Sequence, residues 1–515
     1  MRPEHNTKTI RRVTLRFFLA AAAVWMALGS GTVFAQTKWV ESWYTSAEPV
    51  VLSTDLPPSP GLPNNSSRTL VQVSIGGDTL RMKFSNEYST AATTMKAVTI
   101  AVAKGPATID TTTLKNLLFN GKDSITMAES TTVTSDPLAF NLTPRMSLEV
   151  TIYYGQAPTS NVTGHRGSRA TTYIVTGNQS TARVLAATDT ISRWYNINEI
   201  DVRAPDSAAA VSILGNSLTD GKNSITDSND RWPDIFSEAL LANQATSQVA
   251  VANAGIGAGC MLPNCGISTP GIQRFQRDLL NPPGVKWDIV LLGVNDIGGV
   301  TTSSGATTTA NNLINAYETI IDSAHGRGYK IYGATIMPFG GYSAYYNQYS
   351  ESCRSMVNAW IRNSGKYDAV IDFDHLMRSP TDTFDLGVPS PDGLHPTEPG
   401  YVTMGKYVSL SLFTQSSLTS VKAAVEPQGY SVGETATGGP NGGLTFQFQI
   451  PRETLVSLKV YSVRGDEVAE LAGKTFSAGQ HAVNFKTDGL AKGVYLYSFK
   501  ADNFSVTRKL ILSNP

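Results

Sequence analysis

The sequence predicts an α/β domain of three layers flanked by two β-sandwich modules, and three observations support this. Between residues 205 and 415, short apolar runs alternate with helical patterns, as in a parallel sheet with crossover helices. Residues 36–204 instead show polar and apolar residues in alternation, with turn signals between the runs. The same alternation returns in residues 444–515. Short strands without long helical patterns predict antiparallel β-modules on both sides of the α/β domain.

The composition favours an exported protein that meets neutral polymers. At 515 residues the chain is too long for one core, so several domains are expected. Lys plus Arg and Asp plus Glu each number 41, and this balance does not suggest a nucleic-acid partner. Only 16% of the residues are charged, while Thr, Ser, Gly and Asn are abundant. Such a surface suits an exported protein better than a cytosolic one.

The first 35 residues have the pattern of a signal peptide. Basic residues between positions 8 and 16 precede an apolar run from Phe17 to Leu28, and small residues end at Ala35. The alternative is a membrane anchor, but the apolar run is well short of a span, and no other segment is long enough. We expect cleavage before Gln36 and a secreted or cell-surface protein. The pair Arg11-Arg12 also suggests twin-arginine export.

The N-terminal module, residues 36–204, reads as a β-sandwich or jelly roll. Alternating runs occur at 71–75, 79–84 and 147–154, and turn signals such as Asn120-Gly121 separate them. We consider two roles for this module. It binds carbohydrate, or it packs on the following domain and shapes its cleft.

The central domain carries its most informative stretch directly after its first strand. Apolar runs near 208, 248, 287, 330 and 369 predict five parallel strands and a flavodoxin-like three-layer sandwich. Ser217 lies in Leu214-Gly215-Asn216-Ser217, on the turn between the first strand and a helix. Open α/β sheets place their ligands at this rim. The alternative is a serine that caps the next helix.

A serine hydroxyl needs a neighbouring base to become a nucleophile, and His395 is the best candidate. Asp392 precedes it by three residues in Ser390-Pro391-Asp392-Gly393-Leu394-His395-Pro396, a turn in which the carboxylate can orient the ring. His325 ends a predicted helix and fits a C-terminal cap. The three remaining histidines downstream of the signal peptide show no such partner: His165, His375 and His481.

Two further loops follow strand ends and can supply donors to a developing oxyanion. Asn295 follows the apolar strand 287–292 in Gly293-Val294-Asn295-Asp296. The run Asn253-Ala254-Gly255-Ile256-Gly257-Ala258-Gly259 follows the strand near 248. Each of these loops is common by itself, but four of them in chain order, carrying Ser, Gly, Asn and Asp with His, form a specific pattern.

This constellation resembles the SGNH/GDSL hydrolase superfamily over about residues 205–415. The resemblance implies that Ser217 is the nucleophile, His395 the base and Asp392 the acid that orients it. It also implies an oxyanion hole formed by the amide of Ser217, the side chain of Asn295 and a glycine amide. It implies neither a metal nor a cofactor.

The sequence departs from the family's pattern in two places. Asn216 stands where the family usually has an aspartate, and we expect activity to survive because that acid is not catalytic. The glycine donor is ambiguous in register, since Gly257, Ala258 or Gly259 can offer an amide. We assign it to Gly257.

The resemblance leaves the substrate open, and export together with the β-modules favours a carbohydrate ester. The N-terminal module resembles the β-rich module that precedes the catalytic domain in some exported carbohydrate-active esterases of this superfamily. We therefore expect removal of small acyl groups, acetyl first and feruloyl second, from plant-type polysaccharides such as xylan. The alternatives are a general short-chain carboxylesterase or lipase and a non-catalytic carbohydrate-binding protein.

Tyrosines and cysteines near the predicted cleft allow more than one interpretation. Four tyrosines follow a strand end and either stack on sugar rings or pack: Tyr342, Tyr345, Tyr346 and Tyr349. Cys260 and Cys265 can close a small disulfide in an exported protein, and Cys353 is left over. No His or acidic cluster accompanies them, which argues against a metal site.

The C-terminal part consists of a Ser/Thr/Gly-rich linker, 416–443, and a small immunoglobulin-like sandwich, 444–515. Five strands are expected there, at 444–450, 456–463, 481–485, 494–501 and 505–512. The module resembles the C-terminal sorting domain of the type IX secretion system, notably in Gly493-Val494-Tyr495 and the closing Thr507-Arg508-Lys509-Leu510. The resemblance implies outer-membrane secretion machinery as a partner. The alternative is an accessory module with no sorting role.

Overall fold

The chain divides between Thr414 and Gln415 into two structural units. The predicted signal peptide, 1–35, lies outside the described residues, as does most of the predicted linker. The computed structural model describes residues 37–187, 189–263, 266–382, 384–414, 430–437, 443–462, 466–487, 489–491, 493–502 and 504–512.

The N-terminal module consists of short antiparallel strands and one 3-10 turn, Thr111–Thr113, in the described part. Its strands are β1 (Thr37–Tyr44), β2 (Glu48–Val50), β3 (Asn65–Gln72), β4 (Gly77–Ser85), β5 (Thr93–Gly105), β6 (Thr108–Ile109), β7 (Lys115–Asn116), β8 (Ile125–Met127), β9 (Thr132–Thr134), β10 (Leu138–Leu142), β11 (Ser147–Tyr154), β12 (Val162–His165), β13 (Thr172–Thr176), β14 (Thr190–Ile191), β15 (Trp194–Tyr195) and β16 (Ile197–Pro205).

These strands form a five-stranded, an eight-stranded and a three-stranded sheet. The alternation seen in the sequence places every second side chain of a strand on the same face. On β11, Leu148, Val150 and Ile152 enter the module's core, while Glu149 and Thr151 point to the other face. The β-rich N-terminal region is thus confirmed.

The central domain contains five strands and eight helices in its described part, together with a π-helical turn, Gln276–Leu280, and a 3-10 turn, Leu410–Phe413. In chain order they are β17 (Ala209–Gly215), α1 (Ser217–Asp220), α2 (Trp232–Ala242), β18 (Val249–Gly255), α3 (Gly271–Phe275), β19 (Val285–Leu291), α4 (Val294–Ile297), α5 (Ser303–Gly326), β20 (Lys330–Ala334), α6 (Gln348–Asn363), β21 (Ala369–Ile371), α7 (Phe373–Met377) and α8 (Glu398–Tyr407).

All five strands are parallel, in the order β18-β17-β19-β20-β21. This is the doubly wound order in which ligands bind where the strand order reverses. The reversal lies at β17, and its two neighbours are β18 and β19. The predicted three-layer α/β fold is confirmed, and the loops after these three strands carry Ser217, Gly257 and Asn295.

The N-terminal module and the α/β domain share one hydrophobic core. Val40 from β1 packs in the same cluster as Ala210 and Val285 from the parallel sheet. The hydroxyl of Ser74 accepts the amide of Val251 over 3.1 Å. Burial of this shared apolar surface holds the module and the α/β domain together, so the module packs on the domain in a fixed position.

The C-terminal unit is a small β-sandwich of a three-stranded and a four-stranded sheet. Its strands are β22 (Ser431–Thr437), β23 (Gly443–Ile450), β24 (Thr454–Ser462), β25 (Glu467–Phe476), β26 (Gly479–Lys486), β27 (Gly493–Ala501) and β28 (Phe504–Leu512). Two strands were not expected from the sequence. β22 lies within the predicted linker, 416–443, and β25 pairs with β24 although its residues show little alternation.

Candidate active site

Ser217 begins α1, directly beyond the end of β17. Gly215 makes this turn possible, because a Cβ there would lie 2.1 Å from Oγ1 of Thr219. Asn216 caps the helix, and its side chain accepts the amide of Leu218 over 3.0 Å. An asparagine therefore does at this position what an aspartate does at a helix N-terminus.

His395 approaches Ser217 from a tight turn between β21 and α8. The Nε2 atom of His395 lies 2.7 Å from Oγ of Ser217. The turn is held by Asp392, whose Oδ1 accepts the amides of Leu394 at 3.0 Å and His395 at 2.8 Å. Gly393 has φ +77°, and a Cβ there would lie 2.2 Å from the carbonyl carbon of Gly341. Only glycine fits this close backbone approach.

The second oxygen of Asp392 orients the histidine ring. Its Oδ2 lies 2.7 Å from Nδ1 of His395. This contact places the proton on Nδ1 and leaves the lone pair of Nε2 facing the serine hydroxyl. Ser217, His395 and Asp392 thus form a continuous chain of hydrogen bonds, in which the base can accept the serine proton.

Burial and neighbouring charges set the protonation of this chain. Burial opposes ionisation of Asp392, but the hydrogen bonds from the amide and ring of His395 outweigh it and lower its pKa to about 2. Burial lowers the pKa of His395; Asp392 opposes that shift, while the positive charges of Lys222 and Arg169 add to it. His395 is therefore neutral at neutral pH, as a general base must be.

The loop after β18 lies beside α1. The amide of Ile256 donates to the carbonyl of Gly215 over 3.2 Å, and the amide of Gly259 donates to the carbonyl of Ile256 over 3.0 Å. Gly257 lies next to Asp220, because a Cβ there would be 3.4 Å from its Oδ2. Ala258 has φ +57°. Within the described part of the chain, the amides of Ser217, Gly257 and Ala258 donate to no protein acceptor.

Asn295 lies in α4, directly after β19, and its amide is held in one orientation. Its Nδ2 donates to the carbonyl of Gly259 over 2.7 Å, and its Oδ1 accepts the hydroxyl of Tyr345 over 3.1 Å. Tyr345 packs over Gly298, where a Cβ would lie 2.5 Å from the ring. The second Nδ2 proton remains available as a donor.

The tyrosines after β20 are half-buried and pack against the core of the α/β domain. Tyr342 and Tyr345 meet edge to face, with ring centroids 4.9 Å apart. Sequence analysis left packing and sugar stacking open, and it missed the bond from Tyr345 to Asn295. Nothing in the local pattern distinguished Tyr345 from the other three tyrosines.

The N-terminal module reaches α1 through two side chains that the sequence analysis missed. Nε2 of His165 lies 2.9 Å from Oδ1 of Asp220, and Nη2 of Arg169 donates to Oδ2 over 2.8 Å. The sequence shows no partner for His165 close to it along the chain, and its carboxylate partner is the distant Asp220. Asp220 is fully buried, and although burial opposes its ionisation, Arg169 and His165 lower its pKa. Gly167 lets the loop come close, because a Cβ there would lie 1.8 Å from Oδ2 of Asp220.

A signal for this contact exists in the sequence. The segment His165-Arg166-Gly167-Ser168-Arg169 places three basic side chains around a glycine, and in the structure it links β12 to β13. Arg166 also takes part, since its Nε donates to the fully buried Glu48 over 2.9 Å. Buried carboxylates require such partners, but a single sequence does not say which carboxylates they are.

His325, Cys260 and Cys353 do not belong to the chain of hydrogen bonds formed by Ser217, His395 and Asp392. Nε2 of His325 lies 2.9 Å from Asp368, at the end of α5. Cys260 is disulfide-bonded, and Cys353 is a buried free thiol. The predicted partner, Cys265, lies outside the described residues. Among the described residues, no group of three or more His, Cys, Asp or Glu side chains is placed to hold a metal ion.

A hydrogen-bonded serine, histidine and aspartate at the switch point of a doubly wound sheet define the class of serine hydrolases. The comparison with family models gives the particular family: residues 213–402 match the GDSL-like lipase/acylhydrolase family. Residues 440–513 match the secretion system C-terminal sorting domain. The chain thus contains a hydrolase domain of the GDSL-like family, whose members are ester hydrolases, and a sorting domain that indicates export. No helix in the described ranges is both long and apolar enough to cross a membrane.

Solved structures similar to this chain include three esterases or lipases. A GDSL-like lipase from Bacteroides thetaiotaomicron is 18% identical, and the match covers 39% of this chain and 87% of the lipase at TM-score 0.29. The acetyl xylan esterase AlAXEase is 17% identical, with 38% and 96% covered at TM-score 0.29. A carbohydrate esterase family 2 enzyme with a carbohydrate binding domain, from Corynascus thermopiles, is 11% identical, with 72% and 98% covered at TM-score 0.31. These likenesses carry no conclusion about substrate. The search of curated proteins returned no match.

Proposed function

We propose that the protein is a serine esterase in which Ser217 is the nucleophile, His395 the general base and Asp392 its orienting acid. The observation that carries this proposal is the 2.7 Å contact between Oγ of Ser217 and Nε2 of His395. The lowered pKa of His395 supports it, because a neutral imidazole is ready to accept the proton.

The reaction proceeds in two halves. Oγ of Ser217 attacks the ester carbonyl while its proton passes to Nε2 of His395. The resulting oxyanion is stabilised by the amide of Ser217, by an amide of Gly257 or Ala258 and by Nδ2 of Asn295. His395 then protonates the leaving alcohol, and an acyl-serine remains.

Water completes the cycle at the same residues. His395 accepts a proton from the water molecule, whose oxygen attacks the acyl carbonyl. The second oxyanion collapses, the proton returns to Oγ of Ser217 and a carboxylic acid leaves. The amide of Gly259 is not part of this proposal, because it donates to the carbonyl of Ile256.

We further propose that the substrate is a small acyl ester of a plant-type polysaccharide such as xylan, with acetyl preferred over feruloyl. A long acyl chain needs an apolar wall, since each buried methylene contributes about 0.8 kcal/mol. The surroundings of His395 include instead the charges of Lys222 and Arg169 and the amide of Asn223, whose Nδ2 donates to the carbonyl of His395 over 3.2 Å. Export and the rigid β-module beside the site also support a polymeric substrate.

The test compares two substrates at matched enzyme concentration. We expect acetic acid release from acetylated xylan to exceed hydrolysis of a long-chain aryl ester. The Ser217→Ala variant should lose about 10³-fold or more on both and on a small aryl acetate. If the enzyme prefers the long-chain ester, the polysaccharide substrate is wrong and the protein is better described as a lipase. The proposed mechanism would still stand. Wild-type turnover by the variant would overturn the mechanism.

We also propose that the mature protein starts near Gln36 and leaves the cytoplasm. The charge and hydropathy of residues 1–35 support this, together with the C-terminal sorting domain. The partner would be the outer-membrane secretion machinery. Mass spectrometry of the protein from its native host checks the claim, and an intact Met1 would contradict it.

A further inference from the structure

A cavity of about 340 Å³ lies on the N-terminal module, on the side of the eight-stranded sheet that faces away from its core. Its volume lies in the range of small-molecule sites, about 300–1,000 Å³. Its lining includes Leu70, Pro106, Glu149, Thr171, Tyr173 and Asp227. We call it the Glu149 cavity.

The strand register explains why these side chains meet. Glu149 on β11 is opposite Leu70 on β3, and Tyr173 on β13 is opposite Arg68 on β3. Side chains at every second position share a face, so Glu149 and Thr151 lie on the face that does not enter the core. Asp227 comes from the α/β domain, and the cavity therefore lies where the module meets that domain.

The cavity contains a buried carboxyl group whose hydrogen-bonding capacity is not fully used. Glu149 is only 2% exposed, and its Oε2 has no hydrogen-bond partner among the described residues. Burial raises the pKa of Glu149 to about 8, although the charge of Arg68 opposes the shift. An unpartnered buried carboxyl oxygen costs free energy, so its presence beside a cavity points to a ligand that supplies the missing bond.

The chemistry of the lining defines the ligand class. A partly exposed tyrosine ring offers a flat apolar face, while carboxyl and hydroxyl groups bond to sugar hydroxyls. The carboxylate of Asp227 also disfavours an anionic ligand. The guanidinium of Arg68 points its donors elsewhere, because its nitrogens donate to Thr151 and to the carbonyls of Ala107 and Ala182.

We propose that the Glu149 cavity binds a neutral sugar unit of a polysaccharide, with Tyr173 against the face of the sugar ring. Glu149 and Asp227 then bond to its hydroxyls. This site lies apart from the catalytic chain of hydrogen bonds, and sugar binding there does not depend on the proposed esterase activity.

The cavity is nevertheless connected to the turn of Ser217. The carboxylate of Asp227 accepts the amide of Thr171 at 2.6 Å and its hydroxyl at 2.7 Å. The amide of Asp227 donates to the carbonyl of Arg169 over 2.9 Å. Arg169 in turn binds Asp220 in α1, the helical turn that begins with Ser217. A polysaccharide bound in the cavity would therefore lie next to the loop that contacts this turn.

The experiment measures binding of unesterified oligosaccharides by calorimetry. The probes are xylohexaose, cellohexaose and mannohexaose, with hexagalacturonate and a chitosan hexamer as charged comparisons. The protein is the mature full chain carrying Ser217→Ala. We expect at least one neutral oligosaccharide to bind, and Tyr173→Ala to weaken that binding by about tenfold or more.

The matched control is Tyr153→Ala. Tyr153 lies on the same strand and face as Glu149, is also partly exposed and does not line the cavity. It should bind like the parent. A second variant, Ser147→Tyr, fills the cavity from its partly exposed rim and should also weaken binding. It tests the proposal independently if Tyr173→Ala fails to fold.

Activity adds a second readout with Ser217 restored. Tyr173→Ala should lose activity on acetylated polymer and keep it on a small aryl acetate. The proposal is overturned if no neutral oligosaccharide binds, if only a charged one binds, or if Tyr173→Ala and Ser147→Tyr bind like the parent. Equal weakening in Tyr153→Ala would also contradict it. If the wild-type protein shows no esterase activity, the proposed function is contradicted and the sugar-binding proposal is not.

Discussion

The Nη2 atom of Arg169 donates to Oδ2 of Asp220 over 2.8 Å, and this bond joins the N-terminal β-module to the helical turn that begins with Ser217. His165 binds the other oxygen of the same carboxylate. A side chain from outside the α/β domain thus neutralises a buried charge three residues from the proposed nucleophile.

Replacement of Arg169 by Met should therefore affect both stability and activity. Removing one partner of a buried ion pair costs up to about 3–5 kcal/mol. In this variant His165 still contacts the carboxylate of Asp220, so we expect a cost below that limit. We expect a lower melting temperature and a loss of kcat/KM on a small aryl acetate, because the turn of Ser217 loses its support. Arg145→Met is the matched control. Arg145 also reaches from the module to the α/β domain, but its partner Glu238 is 53% exposed, and exposed pairs contribute about 0–1 kcal/mol.

Asp392→Asn should lower kcat by about 10⁴-fold without unfolding the protein. An amide can still accept the backbone amides of Leu394 and His395, but its NH2 group facing Nδ1 favours the wrong tautomer of His395. Steady-state kinetics on an aryl acetate measure the loss. Ser390→Ala removes only a 3.4 Å contact to Asp392 and should stay near wild-type activity. If Asp392→Asn retained full activity, Asp392 would not be the orienting acid.

Tyr345→Phe tests whether the orientation of Asn295 matters. The variant keeps the ring on Gly298 but removes the hydroxyl that Oδ1 of Asn295 accepts. We expect kcat to fall by about tenfold with little change in KM, a fraction of the 10²–10³-fold cost of losing an oxyanion donor outright. Tyr342→Phe removes a neighbouring hydroxyl and serves as control. Equal kinetics for the two variants would exclude a positioning role for Tyr345.

The pH profile of kcat/KM should show an acid limb that reports His395. The base must be neutral, so activity is present above its pKa and is lost as the pH falls through it. Because burial and the charges of Lys222 and Arg169 lower this pKa, the limb should lie below the ordinary histidine value near 6.5. Lys222→Gln removes one of these charges, raises the pKa and should move the limb to higher pH.

Salt provides the control for that prediction. Lys222 is exposed, and ions screen its charge over a Debye length of about 10 Å at 0.1 M. The difference between wild type and Lys222→Gln should therefore shrink as ionic strength rises. A shift to lower pH in the variant would contradict the assignment of the limb to His395.

Much of the fold followed from the sequence because its signals are local. Period-two alternation predicted the β-modules, and five apolar runs predicted the parallel sheet. The placement of Ser217, Gly257 and Asn295 in neighbouring loops was also predictable, because the carboxyl ends of β17, β18 and β19 meet at one edge of the sheet. The Asp392-His395 turn is specified within four residues. Strands with weak alternation, such as β22 and β25, were missed.

Long-range partnership was decided only in the tertiary structure. The sequence by itself determined which residues sit at the sheet's edge, but not that His165 and Arg169 bind Asp220 or that Tyr345 binds Asn295. These pairs are separated by about 50 residues along the chain. The cavity beside Glu149 likewise depends on tertiary structure, because Asp227 of the α/β domain forms part of its lining. Strand periodicity predicts which way a side chain points, whereas packing of distant segments decides what it meets.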